Sequence, residues 1–135
     1  MLHYLKLFPA SMMIFFMLDM IWIGVVAKTM YIQNYIPWLR LENNQLTPIW
    51  WAIFIVYFLF AFATLTFVLP LSKAQLSQTF FYGAAMGLVI YGVYDFTCLA
   101  IFKDWPVKMA FVDWGWGIFL CGFSSTLTAY LARFI

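Results

Sequence analysis

The sequence predicts an all-α membrane protein: a bundle of four antiparallel transmembrane helices with both termini on the same side. Two observations carry this. The first is composition. Of 135 residues, 67% are hydrophobic and 9% charged, with a mean hydropathy of +0.95. A soluble domain of this length has too high a surface-to-volume ratio to hide so much apolar surface, so lipid is its natural solvent. The second is run length. Four apolar runs of roughly 20 residues each match four crossings of a hydrocarbon core about 30 Å thick. They are about twice too long for barrel strands, and lipid otherwise admits only helices, whose backbone bonds close within the segment. Residues 1–135 therefore read as a single transmembrane domain.

The first span covers residues 7–27, with Pro9 in its first turn, where a missing N–H costs little. The segment before it looks like the start of a signal peptide. The apolar run is too long for that and no small-residue cleavage site follows, so a retained helix is expected. Asp19 and Trp22, three apart, share a face. A polar connector follows at 28–47. Its Tyr31, Tyr35 and Trp38 are spaced for an aromatic belt or a short interfacial helix, Pro37 breaks any longer helix, and Asn43-Asn44-Gln45 marks a loop. The second span, 48–69, carries no charge. It has Trp50 and Trp51 at headgroup level and Pro70 as its stop.

The third span, 78–102, gathers its small and polar residues on one helical stripe: Gly83, Gly87, Tyr91, Tyr94 with Asp95, and Cys98. Gly83 and Gly87 form a small-xxx-small contact for another backbone. Lys103-Asp104-Trp105-Pro106 makes a tight turn. The fourth span, 108–130, repeats the pattern with Asp113, Gly117, Cys121, Ser124 and Thr128. Orientation is undecided, because Lys6, Lys73 and Arg133 on the side of the termini nearly balance Lys28, Arg40, Lys103 and Lys108 on the other.

The acids are the candidate site. An ionisable residue at membrane depth is expensive and faces a partner, water or substrate. At about 1.5 Å per residue, Asp19 lies roughly 13 Å in from Lys28, Asp95 roughly 12 Å from Lys103 and Asp113 roughly 8 Å from Lys108. All three depths are measured from the side bearing the connector, so the three acids are expected to meet in one pocket opening that way. They cannot all stay ionised there without cations. The nearby donors Trp22, Tyr91, Tyr94, Thr97, Trp114 and Trp116, with Cys98, predict a hydrogen-bonded network holding at least one proton. A hard divalent cation is allowed by ligand type, but no cofactor or metal motif occurs. His3, a lone His near the terminus, reads as interfacial, and Cys98 and Cys121 read as small hydrophobes.

Four motifs, in this order, resemble the DUF2177 family of bacterial membrane proteins. They are Leu18-Asp19-Met20-Ile21-Trp22-Ile23-Gly24, Tyr91-Gly92-Val93-Tyr94-Asp95-Phe96-Thr97, Trp105-Pro106 and Val112-Asp113-Trp114-Gly115-Trp116-Gly117. The resemblance implies a four-span protein of the bacterial cytoplasmic membrane and carries no mechanism. This chain departs from the pattern at Cys98, where the family has Asn.

A net charge of +2 without a basic run excludes nucleic-acid binding. Nucleophile, phosphate-loop and dinucleotide motifs are also absent. Three functions remain. One is binding or proton-coupled transport of a small amphiphilic or cationic solute, with a homodimer through Gly83 and Gly87 enclosing the path. Another is a lipid- or isoprenoid-modifying enzyme using Asp95 and Asp19 as acid and base. The last is a non-catalytic subunit or assembly factor docking through the aromatic connector. The bilayer is the common partner of all three.

Overall fold

The computed structural model describes residues 2–135, with side chains from Tyr4 onward, so the side chain of His3 lies outside the described residues. α1 (Leu2–Ile21) runs on into a π-helical turn, Trp22–Val26. Because α1 begins at Leu2, Pro9 lies inside the helix and not in its first turn. A short helix α2 (Lys28–Tyr35) and one 3-10 turn (Ile36–Trp38) form most of the connector. Pro37 sits at the switch between them. The expected 43–45 loop is a hairpin: β1 (Leu41–Glu42) pairs antiparallel with β2 (Gln45–Leu46). Asn43 and Asn44 both take positive φ, 50° and 60°, which suits the right-handed twist of a two-residue hairpin.

α3 (Trp50–Ala63) does not stop at Pro70. It widens into a π-helical turn, Thr64–Val68, and continues as α4 (Leu69–Ser72) until Lys73 turns left-handed at φ 49°. A proline inside a helix lacks a donor and clashes with the carbonyl four residues back. The extra residue of a π turn just before it relieves that clash. α5 (Leu76–Ile101) and α6 (Val107–Leu131) complete the fold.

Among the described residues, three helical stretches are long and apolar enough to cross a membrane: Tyr4–Val26, Trp50–Ser72 and Leu76–Ile101. α6 is as long, at 25 residues, but more polar, because its neighbours enclose it. Its buried residues include Gly117, Cys121, Ser124, Ser125 and Thr128. Contacts along its length set its neighbours' directions. Ser11 meets Thr128 and Asp19 meets Trp116, so α1 runs antiparallel to α6. Gly83 lies on Ser125 and Gly87 on Gly117, so α5 does the same. Phe15 stacks on Phe60 and Asp19 meets Tyr57, so α1 opposes α3 as well.

A Cβ at Gly83 would stand 2.6 Å from the Cys121 carbonyl oxygen, one at Gly87 would collide with the Gly117 carbonyl, and one at Gly117 would enter the Tyr91 ring. The glycine face expected to hold a second copy is thus consumed within the chain, by α6. Lipid-facing surface is left to Trp50, Trp51, Phe54, Phe81, Val89 and their neighbours, all exposed.

Candidate functional site

The three acids reach one region from α1, α5 and α6 but take up different states. Asp19, 6% exposed, is fully engaged. The Tyr57 hydroxyl donates to its Oδ2 at 2.7 Å and the Trp116 indole N–H to its Oδ1 at 2.9 Å. Asp113 accepts from the Tyr31 hydroxyl, which itself accepts from the Trp22 indole N–H at 3.2 Å. Trp22 stacks on Trp116 with ring centres 4.5 Å apart and planes 8° from parallel, tying the two acid networks together. Asp95 is 0% exposed, and among the described residues no hydroxyl, amide or indole donates to either carboxyl oxygen. Its neighbour is the carboxyl of Asp113.

Asp19 and Asp113 open onto a cavity of about 290 Å³ whose other walls are mainly aromatic. Tyr31, Tyr35 and Trp38 come from the connector, Tyr91 and Tyr94 from α5, and Trp105 from the α5–α6 turn. Trp105 holds the rim together. Its ring centre lies 5.1 Å from that of Tyr35 and 4.9 Å from that of Trp38, while its indole N–H is buried without an acceptor. Burial, followed by the nearby Asp113 carboxyl, pushes the Tyr31 and Tyr35 phenols above their ordinary range. Both therefore stay protonated donors.

The remaining expected residues divide. Cys98 is a buried free thiol beside Tyr94, one turn along α5, and Tyr94 is 57% exposed at the cavity edge. Thr97 is exposed and lies outside the lining. Trp114 faces elsewhere: its N–H goes to the Leu88 carbonyl at 2.9 Å and its ring packs on Phe96, because α6 turns it to the side where Gly92 leaves room.

Two pairings differ from expectation. Asp95 pairs with Asp113 and not with Asp19, whose two donors come from α3 and α6. The connector aromatics face the cavity, so they do not form an outward docking surface. Reasoning from sequence passed over Tyr57, Tyr31, Tyr35, Trp38 and Trp105 as site residues. Tyr57 is the one phenol in an uncharged span, and 31/35/38 is a helical stripe beside an acid-bearing helix. Both signals were present, but packing and belt roles use the same residues.

Long apolar helices around buried carboxyls and an aromatic cavity define an integral membrane protein of the polytopic helical class. The chain belongs to the DUF2177 family of predicted membrane proteins, whose model matches residues 4–130. No curated protein and no solved structure matched the chain.

Proposed function

We propose that the cavity binds a small amphiphilic or cationic solute and exchanges it for a proton. In this reading the four long helices cross the bacterial cytoplasmic membrane as an antiparallel bundle with both termini on one side. The observation that carries the proposal is Asp95. A carboxylate with no exposure and no donor is costly in a low-dielectric interior. A proton shared between Asp95 and Asp113 removes that cost, and a cation seated at Asp113 offsets part of it through space. Two carboxyls this close titrate as a unit, so proton and cation compete for one site.

The sign follows from that competition: solute affinity rises as pH rises, because fewer protons occupy the pair. The titratable groups facing the pair are Asp19 from α1, Tyr31 and Tyr35 from α2, and Tyr91, Tyr94 and Cys98 from α5. Asp19 is already satisfied by its two donors, and the α2 phenols stay neutral, so the carboxyl pair sets the response.

The test uses the purified chain in liposomes containing a pH-sensitive dye. Monovalent organic amines and neutral amphiphiles are added from outside. Solute-induced proton movement that Asp95→Asn abolishes is the expected result. Wild-type protein that binds no solute and moves no proton at any pH overturns the reading.

A further inference from the structure

We infer that the solute is a small alkylated ammonium carrying one hydrogen-bond acceptor on a short chain. This rests on the cavity reading above and narrows its ligand class. Three features point the same way, and each excludes a different alternative.

The first is charge. Asp113 lines the cavity with Asp95 beside it, and among the described residues the lining carries no basic side chain. The cavity thus offers negative charge that no protein cation balances, which favours a cationic ligand over a neutral or anionic one.

The second is the character of the walls. A hard metal ion seeks six or more oxygen ligands, water among them, and is strongly hydrated. Here Asp19 has given both oxygens to Tyr57 and Trp116, and Asp113 has engaged Tyr31. Ring surface dominates what is left: Tyr35, Trp38 and Trp105 meet at interplanar angles of 41° and 55°, forming a corner and not a flat stack. Aromatic faces attract weakly hydrated, bulky cations within about 6 Å. Alkyl groups on nitrogen remove N–H donors that the cavity has few free acceptors to receive. They also add apolar surface suited to the rings.

The third is Trp105. Its indole N–H is buried without an acceptor, on a residue that lines the cavity. A buried donor left unpaired is costly. The N–H is closed to the open cavity, so a ligand oxygen near the charged nitrogen satisfies it when the Trp105 ring turns that edge inward. Size completes the description: about 290 Å³ is at the small end of ligand cavities, which suits an amino-alcohol-sized cation and excludes a whole phospholipid.

The experiment measures binding to the detergent-purified full chain by calorimetry, with three probes. Choline has both the charge and the oxygen. Tetramethylammonium has the charge alone. The neutral isostere of choline, with carbon in place of nitrogen, has the oxygen alone. Choline is expected to bind tightest, tetramethylammonium roughly 2- to 10-fold weaker for want of one hydrogen bond, and the isostere at least about tenfold weaker for want of the cation–ring and carboxylate attraction. In Trp105→Phe, which keeps a ring against Tyr35 and Trp38, choline's advantage over tetramethylammonium disappears. In Trp38→Leu both cations weaken while the isostere does not.

An isostere that binds as tightly as choline overturns the inference and leaves the cavity reading standing. So does proton release driven by other solutes while none of the three probes binds. Absence of both binding and proton release for every solute brings down the cavity reading itself.

Discussion

The two ends of the helices treat polar groups differently. Away from the connector, buried hydroxyls are spent on one another: Thr64 with Ser125 at 3.3 Å, Ser11 with Thr128 at 3.1 Å, and Ser72 with Thr79 at 2.9 Å. Beside them Gly83 and Gly87 bring α5 against α6 so closely that no side chain fits between. Only the Ser124 hydroxyl lacks a partner among the described residues of that end. At the connector end, among the described residues, the Trp105 N–H is unpaired and Asp95 has only the carboxyl of Asp113 for a partner, and a cavity stands beside them. Polarity at membrane depth therefore does not by itself mark a site. A polar group whose partners are supplied by the fold is glue, and one left unpaired against open volume can receive something from outside.

The contrast can be broken most severely at the glycine seam. Gly87→Leu should abolish folding, because a branched side chain cannot enter the contact with the Gly117 backbone. Size-exclusion profiles in mild detergent would show aggregate in place of monodisperse protein. The milder Gly87→Ala should cost about 1–3 kcal/mol, as overpacking does. A variant as stable as wild type would mean that α5 and α6 are not pressed together there.

The next test separates two acids that look alike in sequence. Asp19→Asn loses an acceptor to either Tyr57 or Trp116 and should cost about 1–3 kcal/mol in thermal unfolding. Asp95→Asn presents an N–H that can donate to Asp113 and should leave the unfolding temperature unchanged or raise it, while removing proton coupling. Equal destabilisation by both would erase the distinction between a satisfied and an unsatisfied carboxyl.

The smallest effect belongs to the hydroxyl end. Thr64→Val keeps its volume and loses one bond to Ser125, so a cost of about 0.6 kcal/mol is expected, typical of interhelical polar bonds in membranes. Proton release by the variant should match wild type. A change in proton release larger than the change in stability would place the hydroxyls in the conducting path and dissolve the contrast between the ends.

Much of this arrangement could be read before any coordinates. The stripes on the third and fourth spans name the buried residues Gly83, Gly87, Asp95, Cys98, Gly117, Cys121 and Thr128, because helical periodicity alone decides which positions share a face. Depth arithmetic brings three acids to one level for the same reason. Continuation of the second span through Pro70 could not be read, since it depends on a π turn that a local proline rule does not anticipate. Nor could the inward turn of Tyr31, Tyr35 and Trp38, because an amphipathic stripe at an interface suits lipid headgroups and a protein cavity equally well.

Composition and run length by themselves determined that this chain is helical and lies in lipid: a backbone without water must bond within its own segment, and these segments are too apolar for any other solvent. Only the tertiary structure decided which acid is satisfied and which is not. The donors to Asp19 come from residues 57 and 116, and the donor to Asp113 comes from residue 31. Hydrogen bonds between helices join positions far apart along the chain, so the partners of a buried carboxyl are settled by packing and not by its neighbours in sequence.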